Sequence, residues 1–249
     1  MINGMLLFHR GLVVLFLSAW TMMAGLAAAS TVPSQFGTLG PLPGDGFAVD
    51  SEGKLDGFGA LQINIPIAYT PLTGYVVASG SAGGVTEDKS NFKNGTAVVG
   101  GSVGGWPRLW MSAMVIKNDN AVANGQLSVF SETLSRPAVA VGLQGLFRNS
   151  EVKKWGYITA TKGFALRNNK NIYATVGIRG ERKNARGIGG LSYPLSQSFN
   201  FATEWDGYQF NNGIAWRPGG QRGNVTLFGT YNSQTGLQAG ASIYHNFAK

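Results

Sequence analysis

The chain has 249 residues, 37 of them glycine and none cysteine, and only 13% are charged where soluble domains carry about 25%. The lack of cysteine excludes a disulfide scaffold, and the formal charge of +8 comes with no zinc-ligand spacing, basic helix or aromatic RNA-binding motif, which excludes the common nucleic-acid binders. Basic charge on such a chain suits anionic lipid headgroups or acidic polysaccharide.

The N-terminus predicts an export signal over residues 1–29. Arg10 closes a short polar stretch, Gly11 to Trp20 is apolar, and Ala27-Ala28-Ala29 offers a small-residue cleavage site before Ser30. A retained membrane anchor is the alternative. No cysteine follows the site, so a lipoprotein anchor is not expected. No later segment approaches a membrane helix, and residence in a bilayer would then require a closed barrel.

Residues 30–74 are rich in Gly and Pro, with Gly-Pro-Leu-Pro-Gly at 40–44. Only 61–69 (LQINIPIAY) is strand-like, and Pro66 demotes it to an edge or irregular strand. This region is expected to be an irregular extension lying in the mouth or lumen of a barrel, with a flexible linker as the alternative.

From Tyr75 to the C-terminus the texture is uniform. Strands are expected over 75–85, 94–105, 109–118, 126–135, 137–147, 154–166, 171–181, 186–195, 199–207, 210–218, 224–232 and 236–247. Their lengths match the 9–11 residues that carry a tilted strand across a bilayer. The hairpin 199–218 shows the pattern best. Phe199, Phe201, Thr203 and Trp205 alternate with Asn200, Ala202, Glu204 and Asp206. After a break at 207–209, Phe210, Asn212, Ile214 and Trp216 alternate with Asn211, Gly213, Ala215 and Arg217. Either a soluble sandwich or a membrane barrel explains one such hairpin. Three features favour the barrel. Arg, Glu and Asp sit mid-strand on the polar faces, as in a wet lumen. Trp155, Trp205, Trp216, Tyr231 and Phe247 lie near strand ends, where aromatic girdles form. The chain also finishes on a strand. The expected fold is therefore an all-β, antiparallel transmembrane β-barrel of about 12 strands (10–14) over 75–249, in the bacterial outer membrane. Lys162 alone has no comfortable place against lipid.

An even strand number puts both termini on one side. The connections at the other side are short, and Arg148, Lys153, Lys154, Arg182 and Lys183 make that rim basic. Catalytic chemistry has little to work with. One histidine follows the export signal, His245, and no nucleophile motif accompanies it, so no enzyme, cofactor or metal is expected. Glu204 and Asp206 share a face and could hold a cation, but Arg179, Glu181, Asn211 and Arg217 point instead to a lumen charge network with those two carboxylates. That network is a candidate for selectivity or glycan contact, and Tyr173, Phe228 and Tyr244 are candidate sugar-stacking rings.

Three stretches carry a family resemblance. The run 190–218 (GLSYPLSQSFNFATEWDGYQFNNGIAWRP) resembles a repeating signature of the YjbH-type outer-membrane family. It has Gly190, the Tyr193-Pro194-Leu195 step, the Glu204-Trp205-Asp206-Gly207 tetrad (with Trp205 where that family carries Tyr), Asn211 or Asn212, Gly213 and the Trp216-Arg217-Pro218 close. Residues 64–68 (NIPIA) are similar to that family's N-terminal Asn-Ile-Pro-Thr-Ala, and 160–163 (ATKG) fit its middle strands. The resemblance implies a part in export or surface anchoring of an exopolysaccharide, with outer-membrane lipid, acidic polysaccharide and periplasmic export proteins as partners. A general small-solute porin and a non-pore structural protein are the alternatives.

Overall fold

The computed structural model describes residues 43–44, 47–72, 75–85, 91–103, 108–116, 122–146, 155–166, 171–181, 184–220, 225–232 and 236–246. The expected export signal, the basic rim residues Arg148, Lys153, Lys154, Arg182 and Lys183, and Phe247 lie outside the described residues. So do the side chains of Glu181 and Tyr244.

Twelve strands are described: β1 (Tyr75–Val85), β2 (Asn91–Val103), β3 (Leu109–Ile116), β4 (Val122–Phe130), β5 (Ala138–Leu146), β6 (Trp155–Ala165), β7 (Asn171–Glu181), β8 (Asn184–Pro194), β9 (Phe199–Trp205), β10 (Phe210–Trp216), β11 (Val225–Asn232) and β12 (Gly236–Asn246). Each is antiparallel to the next, and β1 pairs with β12 from Tyr75↔Asn246 to Gly83↔Gln238, which closes the sheet into a barrel. Closure leaves no strand edge unpaired. The end where β1 starts and β12 finishes is the near end; the opposite one, which holds the β5–β6, β7–β8 and β9–β10 connections, is the far end.

Period-2 alternation sorts the side chains between two environments. Ile158, Ile178, Ile243, Leu143 and Leu237 point outward and are exposed. Gln126, Ser128, Thr159, Thr161, Thr175, Ser192 and Ser242 point inward and are buried. The 199–218 hairpin divides as its sequence predicts: Phe201 (39%) and Ile214 (46%) are exposed outside, while Glu204 (0%) and Arg217 (5%) are buried inside. On the outer face at the near end, Phe199 stacks on Trp216 with centroids 6.0 Å apart. Trp205 is also on the outer face, buried against Phe210 at 4.9 Å. Trp155 corrects the girdle assignment. It shares the lumen-facing register of Tyr157 and Thr159, beneath the Arg179 guanidinium.

The expected fourth strand, 126–135, is displaced: β4 is Val122–Phe130, and 131–137 form the near-end turn, where Thr133 N donates to Arg136 O (2.9 Å). Asn124-Gly125 suits a turn, but Asn124 points into the barrel, where its amide donates to Ser112 Oγ and accepts from Gly145 N. The expected 199–207 strand stops at Trp205 because Asp206 opens the turn. Its Oδ1 accepts from Tyr208 N (2.9 Å) and Gln209 N (3.1 Å), and Gly207 takes φ +93°.

Lys162 finds its place at the near-end tip of β6. Its Nζ lies 3.2 Å from Glu132 Oε1 in the β4–β5 turn and donates to the carbonyls of Thr133 and Leu134.

Candidate functional site

Residues 47–72 add no strand to the barrel, and Val49 makes only isolated bridges to Leu55 and Ala60. Yet Ala48, Val49, Ala60, Ile65, Ile67 and Tyr69 are all buried. Val49, Ala60, Ile67 and Tyr69 cluster with the lumen-facing Trp110, Ala138, Ala140 and Tyr173, and Ala48, Leu61 and Ile63 with Ala202 and Ala215 of another wall. A segment in contact with β3, β5, β7, β9 and β10 at once must lie inside the barrel, and this one sits in the lumen as a plug. Each fully buried Ile contributes roughly 1.5–3 kcal/mol to docking.

The wall binds the plug through side chains that meet its backbone. The Glu204 carboxylate accepts Ile63 N (2.8 Å) and Asn64 N (2.7 Å), one on each oxygen. Ser192 Oγ accepts Leu61 N (3.1 Å), and Thr161 Oγ1 accepts Ala68 N (2.9 Å). Thr159 Oγ1 donates to Pro66 O (3.1 Å) and Asn200 Nδ2 to Gly57 O (2.7 Å). Pro66 removes one donor, and the plug runs in no ladder, so these hydroxyl, amide and carboxyl groups supply what neighbouring strands otherwise would. At the near end, Tyr69 Oη donates to Glu132, whose other oxygen accepts Gly163 N (3.1 Å). Burial and the facing carboxylate push the Tyr69 phenol up, which keeps it a donor.

Four members of the expected charge network gather. Asn211 Nδ2 donates to Glu204 Oε1 and Asp206 Oδ2, both at 3.1 Å, and Arg179 reaches Asp206 Oδ1 at 4.0 Å. Arg217 does not join them. It lies at the near-end tip of β10, where its backbone N donates to Ser198 O (2.7 Å) and its guanidinium borders Gly57 of the plug. Among the sugar-stacking candidates, Tyr173 is corrected. Its ring is buried and packs T-shaped with Tyr69 of the plug (6.0 Å, 83°), so it is closed to a sugar. Phe228 is half-buried on the face of β11 that also carries buried Thr226 and Thr230. His245 is exposed on the outer face of β12, opposite Val76.

The far-end mouth holds a group that the sequence reading passed over. Arg186 Cζ lies 4.1 Å from the Tyr208 ring centroid, and Arg179 Cζ lies 4.8 Å from Trp155 and 5.3 Å from Tyr208. Trp155 and Tyr208 meet edge to face at 5.8 Å. The available signal was the register of β7 and β8, which sets Arg186 directly opposite Arg179.

No protein-family model matches the chain, and no curated protein does. Among solved structures it is similar to one described as "NanC porin structure in rhombohedral crystal form", with a TM-score of 0.40 and 11% identity over 70% of this chain and 100% of that one.

Proposed function

We propose that this protein is an outer-membrane β-barrel that assists export or surface anchoring of an exopolysaccharide, and that it does so as a plugged barrel, not as a diffusion pore. The exposed Ile, Leu and Phe side chains around the sheet support residence in lipid, since closure satisfies the backbone and the outer face matches hydrocarbon. The observation that carries the reading is the seat of the plug. The three stretches on which the resemblance rests, 64–68, 160–163 and 190–218, meet there: Asn64 N on Glu204 and Ala68 N on Thr161. Outer-membrane lipid is then a direct partner, and acidic polysaccharide with periplasmic export proteins the functional ones. The reading assigns no catalytic step.

A general porin is the second reading, and the hydroxyl-lined wall favours it: Thr159, Thr161, Thr175 and Ser192 would suit a wet channel if the plug withdrew. Two measurements separate them. In planar bilayers the full chain is expected to show no steady conductance, and loss of the protein is expected to lower surface polysaccharide while small-solute uptake stays unchanged. Steady open channels with normal surface polysaccharide would replace the first reading with the second.

A further inference from the structure

We infer that the far-end mouth of the barrel is a binding site for the carboxylate of an acidic carbohydrate, held by Arg179 and Arg186 beside the rings of Trp155 and Tyr208. This inference rests on the exopolysaccharide reading and gives it a substrate class.

The argument begins with charge. Arg179 and Arg186 face each other across β7 and β8, and like charges directly opposite on one face of a sheet repel. The fold nevertheless stacks both over Tyr208. Asp206 compensates only one of them, at 4.0 Å, because its oxygens already accept Tyr208 N, Gln209 N and Asn211 Nδ2. Arg186 places one N–H on Gly207 O (3.1 Å), and Arg179 Nε is buried with no hydrogen-bond partner among the described residues. A guanidinium has five N–H donors in a planar fork that matches a carboxylate, so Arg186 and the unpartnered Arg179 Nε retain donor capacity at the mouth. A ligand carboxylate accepts from both.

Position selects the source of that anion. Arg179 lies on the lumen face of β7, in register with buried Thr175 and Tyr173, and Arg186 on that of β8, in register with buried Ile188 and Ser192. A lipid phosphate outside the barrel lies on the other face of the sheet, and Arg186 is partly exposed at the mouth. Trp155 and Tyr208 are each partly exposed, and apolar ring surface beside paired guanidinium groups is the chemistry that distinguishes a uronic acid from a bare anion.

The test is calorimetric titration of the full chain in detergent, at one fixed low salt concentration, with trigalacturonate, maltotriose and inorganic phosphate. Trigalacturonate is expected to bind and maltotriose not to. Arg186→Gln is expected to weaken trigalacturonate about tenfold or more, and Arg186→Lys by less. Heat-modifiable mobility on a gel confirms that each variant is folded. Phosphate binding as tightly as trigalacturonate, or Arg186→Gln binding trigalacturonate as the parent does, overturns the site. The reading beneath it fails separately: trigalacturonate binding that depends on Arg186, in a protein whose loss leaves surface polysaccharide unchanged, upholds the site and removes the export role. Polysaccharide loss with no trigalacturonate binding does the reverse.

Discussion

At the scale of single residues, Glu204 joins the barrel to what it contains. Its position on β9, between Thr203 and Trp205, makes it a lumen residue by simple alternation. Its task is to receive two backbone N–H groups that no strand would otherwise satisfy. Glu204→Gln keeps the shape and turns one acceptor into a donor aimed at an N–H. Leaving a buried donor unsatisfied costs about 1–3 kcal/mol, so amide exchange at Ile63 and Asn64 should accelerate about fivefold or more. Unchanged protection at both amides would show that Glu204 does not hold the plug. Gly142 illustrates the same economy of space: a Cβ there would lie 2.2 Å from Tyr157 Cζ, and the ring occupies that gap while its hydroxyl donates to Gln126 Oε1 (2.9 Å).

At the scale of elements, the plug is held by apolar side chains inside a polar wall. Ile67 is fully buried, in a cluster with Tyr69, Trp110 and Tyr173. Ile67→Ala removes packing that the rigid barrel cannot close over, at a cost of about 2–5 kcal/mol. Brief openings in planar bilayers, absent from the parent, are the expected result. A variant as silent as the parent would mean that Ile67 is not what retains the plug. The strands themselves were legible because their two faces differ: Phe201 and Ile214 lie on the exposed outer face of the hairpin, and Glu204 and Asn211 on its buried lumen face. The fourth strand is displaced because Asn124-Gly125 has the chemistry of a turn, and only the partners Ser112 and Gly145 of the inward Asn124 side chain, on neighbouring strands, show otherwise. The charge network was legible by face but not by height. Asn211 and Arg217 share a face, yet six residues of strand separate them by about 20 Å, which places them at opposite ends of β10. The Arg179–Arg186 pair escaped notice for another reason: cross-strand neighbours depend on register, which β7 alone does not specify.

At the scale of the whole molecule, the closed sheet reverses the usual order of a soluble protein. Among the described residues its outer surface carries many large aliphatic side chains, its lumen wall carries hydroxyls and amides beside Trp110, Tyr173 and Ile188, and the plug buries a further apolar set. The same chain that lacks the charge density of a soluble domain thus spends its polar groups indoors. On the reading proposed above, the apolar surroundings of a bilayer suit that arrangement. Because the chain contains no cysteine, single cysteines can be introduced and spin-labelled one at a time. The most direct measurement is collision with lipid-phase oxygen and with a water-soluble nickel chelate, in reconstituted vesicles, at Phe201, Ala202, Ile214, Ala215, Ser242 and Ile243. The account predicts period 2: oxygen contact at Phe201, Ile214 and Ile243, and shielding from it at Ala202, Ala215 and Ser242. Equal access of the nickel chelate to Phe201, Ile214 and Ile243, or the opposite alternation, would contradict it.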